Sequence, residues 1–73
     1  MMPDRLDQCL SVIRWTPETL AQCLGCDVSV VHAWLAGKAE IPMNVAVWIE
    51  MMAEHHVAFE ETKPKGLTGR RFP

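Results

Sequence analysis

The chain has 73 residues, enough for one domain and too few for a large enzyme with a deep cleft, since a chain this short buries only about 60% of the surface its unfolded form exposes. Apolar residues make up 49% and charged residues 22%, which separates it from disordered chains. The net charge of −2 conceals an asymmetry: residues 1–62 hold nine acids and three bases, a balance of −6, whereas residues 63–73 hold four bases and no acid. No run approaches the roughly 18 apolar residues of a membrane span. Met1-Met2-Pro3-Asp4-Arg5 also lacks the charged-then-apolar plan of a signal peptide, so a cytoplasmic chain without membrane contact is expected. The odd count of cysteines, Cys9, Cys23 and Cys26, then points to reduced thiols rather than a disulfide framework.

Leu6, Cys9, Leu10 and Ile13 recur at the spacing of one buried helix face and predict a helix over Pro3 to Ile13. In Trp15-Thr16-Pro17-Glu18, Thr16 suits an N-cap, Pro17 a first helical position, and Trp15 a staple against Leu20. A second, short helix therefore starts at Pro17, carries Leu20, Cys23 and Leu24, and closes at Gly25. Asp27 caps a third helix, Val28 to Ala36, which Gly37 ends and in which Val31 and Trp34 to Leu35 supply the apolar spacing. After Lys38 to Ile41, Pro42 opens a longer helix with a buried stripe of Val45, Trp48, Ile49 and Met52, fading near His56 after about 22 Å. No alternating pattern predicts a strand. The expected fold is all-α, a compact four-helix domain over residues 1–59 followed by a basic, flexible tail over 60–73.

Two short helices joined by three residues including a glycine have the composition of a helix-turn-helix unit, here 17–36. Leu20-Ala21, Leu24-Gly25, Val31, Trp34, Gly37-Lys38 and Pro42 follow one another in an order and spacing that resembles the phage-repressor-like helix-turn-helix family of bacterial regulators, over about a third of the chain. Leu20, Leu24, Val31 and Trp34 would form the wedge between the two helices, with Ala21 small at their crossing and Gly25 permitting the turn.

The resemblance implies a repressor-like transcriptional regulator that binds double-stranded DNA; no nucleophile, base and orienting group occur together, so no catalysis is expected, and neither a cofactor nor a metal. The helix from Val28 would lie in the major groove with Val28, Ser29, His32 and Ala33 toward bases, while Thr16 and Lys38 meet phosphates. Two departures accompany it. Pro17 stands where the family carries glutamine, and helix 28–36 holds no Arg, Lys, Asn or Gln, so the bidentate pairings that read guanine and adenine are missing. Thymine-rich sites of modest specificity are the expectation.

Several features admit two readings. Helix 28–36 is apolar on nearly every side, so Val30 and Leu35 would face outward, where a partner protein or second copy could cover them. The same fold would then serve protein contact. Val47, Trp48, Met51 and Met52 fit either core packing or a homodimer interface. Lys63, Lys65, Arg70 and Arg71 fit either a solvated end or an arm that follows phosphates. Cys23-Leu24-Gly25-Cys26 has C-x2-C spacing, but no second pair accompanies it, and Cys26 reads better as a small apolar residue of the core than as a ligand. His55 and His56 are adjacent, point about 100° apart and read as solvated groups near a helix C-terminus.

Overall fold

In the computed structural model, which describes all 73 residues, the chain forms four helices and no strand: α1 (Pro3–Ile13), α2 (Pro17–Leu24), α3 (Val28–Leu35) and α4 (Met43–Glu61). None is long and apolar enough to cross a membrane. The fold is the all-α bundle that the periodicity predicts, and the punctuating residues set its boundaries. Pro3 and Pro17 occupy first helical positions, where their missing N–H groups leave no hydrogen bond unmade.

α1 and α2 end in the same way. Trp15 N–H donates to the Leu10 carbonyl and Cys26 N–H to the Ala21 carbonyl, both at 3.0 Å, each chain reversal passing through one left-handed residue. In α2 that residue is Gly25 (φ 72°), which tolerates the conformation freely; in α1 it is Arg14 (φ 60°), where a side chain makes it costly. α3 stops at Leu35, one residue before the expected Ala36, because Ala36 is the cap and Gly37 takes the left-handed turn.

α4 departs most from expectation. It does not fade near His56 but continues to Glu61, about 28 Å in all, so the tail begins at Thr62 rather than at residue 60. Its last turns are held by polar contacts. His56 Nε2 lies 3.0 Å from Glu60 Oε1 one turn on, and Arg14 Nη2 of the α1–α2 corner lies 3.4 Å from the same oxygen. His56 is consequently half-buried and paired, not simply solvated.

The core is Leu6, Cys9, Leu10 and Ile13 from α1, Leu20 and Ala21 from α2, Val31 and Trp34 from α3, and Ile49 and Ala53 from α4. α1 is its centre, packed against both α4 and α3, while α2 packs on α3. The expected α4 stripe is corrected: Ile49 is buried, but its companions are the small residues Ala46 and Ala53, which let α4 approach α1 closely. Val45 and Met52 are only half-buried, and Trp48 is 37% exposed, its ring meeting the Trp15 ring edge-on at 6.1 Å. Leu24 and Leu35 are half-buried against the core, so Leu35 does not face outward as expected; Cys23 is exposed. Across the α1–α4 seam, Arg5 Nε and Nη2 donate to the two carboxylate oxygens of Glu50, both at 2.6 Å.

Leu20 is completely buried in the core, so Leu20→Ala should lower stability by about 2–5 kcal/mol, a large share of what so small a domain possesses. Urea unfolding followed by tryptophan fluorescence measures this. A loss below about 1 kcal/mol would mean that the site is not sealed.

Candidate nucleic-acid interface

Only Gly25, Cys26 and Asp27 separate α2 from α3, and each of the two helices begins with a side-chain cap. Thr16 Oγ1 accepts from Thr19 N–H at 3.2 Å and lies 3.0 Å from Thr19 Oγ1. Asp27 Oδ1 accepts from Ser29 N–H at 2.8 Å. Hydrogen bonding from Ser29, its side chain first and then its backbone N–H, holds the Asp27 carboxyl below the usual range and therefore ionised at neutral pH. The start of α3 thus bears a fixed negative charge beside the residues expected to meet bases.

The buried pair Val31 and Trp34 fixes the rotation of α3. With about 100° per residue, the opposite strip is Ser29, His32, Ala33 and Ala36. Ser29, His32 and Ala36 are exposed and Ala33 is half-buried. Three of the four residues expected to face bases therefore share one outward strip. Val28 does not, because it lies on the flank of the helix, half-buried against the core. Ala36, which sequence reasoning left out, takes its place at the far end; the same 100° step, counted from Val31 and Trp34, identifies it. Val30 is on the opposite flank, 38% exposed.

The strip offers one hydroxyl, one imidazole and two methyl groups, and no charged group. Methyl–methyl contact with thymine is the chemistry it is suited to, while a guanine would find at most His32. Of the residues expected at phosphates, Lys38 is exposed and its side chain is in none of the three ion pairs, its backbone N–H closing the α3 turn on the Ala33 carbonyl at 2.9 Å. Thr16 is exposed, but its oxygen is occupied by the cap, so the N-terminus of α2 presents the Glu18 N–H next to the Glu18 carboxylate. Lys63, Lys65, Arg70 and Arg71 are all exposed beyond α4. The other two bases are committed internally, Arg5 to Glu50 and Arg14 to Glu60.

The thiols and imidazoles do not assemble a centre. Cys9 is fully buried under the α1–α4 seam, where burial first and the Glu50 carboxylate second push its thiol upward and away from the reactive thiolate. Cys26 is half-buried against the core, and no group of three or more His, Cys, Asp or Glu side chains comes together. No protein-family model matches the chain, and no curated protein or solved structure matches it either.

The Asp27 cap has a pH signature. Its folded pKa lies below the unfolded value of about 3.9, so its stabilisation is fully present above that value and is lost as pH falls through the folded one. Asp27→Asn keeps an accepting oxygen that does not titrate. The variant should therefore lose less stability than the wild-type protein between about pH 5 and pH 2, read from urea midpoints. Equal acid losses would show that the cap is not coupled to folding.

Proposed function

We propose that this protein is a small cytoplasmic DNA-binding regulator that seats α3 in the major groove and acts by occupying its site, without cofactor or catalysis. The observation that carries the reading is the outward strip of α3. It is free of charge, sits on a helix fixed by two buried residues and is reached across a three-residue turn from α2, as in the phage-repressor-like helix-turn-helix regulators the sequence resembles. Ser29, His32, Ala33 and Ala36 would meet base edges, and Lys38 and the Glu18 N–H would flank them at phosphates.

Charge constrains this reading. Asp27 and Glu18 oppose the approach of DNA, so the tail must supply most of the counterion release, with Lys63, Lys65, Arg70 and Arg71 acting as an arm along the backbone. Affinity then comes mainly from the arm and sequence preference from a strip with few polar groups. Both follow from a body carrying −6 over residues 1–62. A second reading, protein contact through α3, rests on the exposed Val30, but the half-buried positions of Val28 and Leu35 leave that surface narrow.

Fluorescence anisotropy with labelled duplexes tests the proposal. His32→Glu places a carboxylate on the exposed strip and should reduce affinity at least about tenfold without altering the helical circular-dichroism signal. Lys38→Ala should weaken all sequences alike and reduce the slope of log affinity against log salt by about 1. If His32→Glu binds as the wild-type protein does, α3 is not the docking helix.

A further inference from the structure

A groove of about 330 Å³ runs between α1 and α4, lined by Arg5 and Val12 of α1 and by Ala53, Glu54, Val57 and Ala58 of α4. Most of it is apolar: Ala53 is buried, Val12 half-buried and Val57 exposed. Arg5 adds a flat surface. The edge of its guanidinium is taken up by Glu50 through Nε and Nη2 and by Gln8 Oε1, 2.8 Å from Nη1, which leaves the face of the plane for an aromatic ring. Glu54, exposed and in none of the three ion pairs, puts a carboxylate on the rim. The groove thus suits an aromatic side chain with a cation beside it in sequence, and the tail carries that combination in Arg70-Arg71-Phe72. We propose that the tail folds back along α4 as a strap, seating Phe72 in this groove with Arg70 and Arg71 against Glu54, and so withholds two of its bases until a duplex displaces it.

Charge, reach and tethering select the tail as the occupant. In the structure the strap is open: Phe72 is 99% exposed, and neither Arg70 nor Arg71 has an acidic partner. The tail bears four bases and no acid beside a body of −6, so closure brings opposite charges together. Val57 lies about 6 Å back along α4 from Glu61, whereas residues 62–72 can span up to roughly 36 Å. The chain also turns just before the motif, where Gly66 and Gly69 take left-handed φ values of 92° and 77° and Arg70 N–H donates to the Leu67 carbonyl at 3.0 Å. A separate peptide with the same residues would meet the groove only at its own concentration, while the tether holds the tail at an effective concentration of millimolar order. The closed strap stands on this geometry alone; its competition with DNA rests on the function proposed above. Duplex binding opens the strap, so the phosphates met, and with them the salt slope, are those of the open arm.

Nuclear Overhauser spectra of the full chain, without DNA and at about 50 mM salt, read the contact directly. Cross-peaks should join the Phe72 ring protons to the methyl groups of Val12 and Val57, with the same intensity per chain at about 50 and 500 μM protein, as an intramolecular contact requires. They should weaken when Arg70 and Arg71 are both changed to glutamine. Phe72→Ala removes the ring without altering charge or, at so exposed a position, the fold, and should raise duplex affinity at least about threefold in the anisotropy titration. Phe72 ring protons with no cross-peak outside the tail would overturn the proposal, and so would a Phe72→Ala variant that binds duplex as the wild-type protein does. Cross-peaks in a protein that binds no duplex would uphold the strap and remove instead the DNA reading on which the competition rests.

Discussion

The burial of α1 is the constraint on which the rest of the structure depends. Only 11 of 73 residues are buried, and α1 contributes four of them, more than any other helix, so it is the common surface on which α3 and α4 rest. Leu6 and Cys9 are fully buried there. Removing α1 would leave α2 and α3 with each other as their main contact, too little apolar burial for a stable unit of sixteen helical residues. The rotation of α3, and with it the identity of the exposed strip, is therefore fixed through Val31 and Trp34 by a helix that takes no part in the strip itself.

Electrostatics divides the molecule by role. Arg5 and Arg14 are spent on internal contacts, one clasping Glu50 across the α1–α4 seam and the other reaching Glu60 from the corner after α1. Those pairs are solvent-accessible, and their value lies in fixing geometry more than in stability. They link α1 and the corner after it to the middle and to the last turns of α4. What remains for an external polyanion is Lys38 and the four tail bases. A regulator built this way would separate its affinity, carried by the tail, from its preference, carried by α3.

The sequence discloses the helix boundaries well because they are written in local chemistry: Pro3 and Pro17 as starts, Thr16 and Asp27 as caps, Gly25 and Gly37 as stops. It discloses α4 poorly. Beyond His56 the apolar repeat no longer marks the helix, whose continuation depends on an i,i+4 pair and on Arg14 from 46 residues earlier in the chain. The Arg5–Glu50 clasp spans 45 residues and has no local signature. Trp48 misled for a related reason: an apolar stripe on a helix with two apolar faces does not say which face is the core, and Ala46 and Ala53, small and unassertive in a hydropathy pattern, are what close contact requires. On α3 the difference from expectation is one of phase. Val28 is first in the helix, but the positions of Val31 and Trp34 rotate it to the flank and bring Ala36 onto the strip.

The salt dependence of duplex binding tests the central claim most directly, because it counts the phosphates that the cations replace. Five free bases, Lys38 and the four of the tail, predict a slope of about −4.5 and a fall in affinity of about 500-fold between 50 and 200 mM salt. With the four tail bases changed to alanine, the residual fall should be only about three- to fourfold. Absence of binding at 50 mM salt by the wild-type protein would contradict the account, and would leave the exposed strip of α3 to a protein partner.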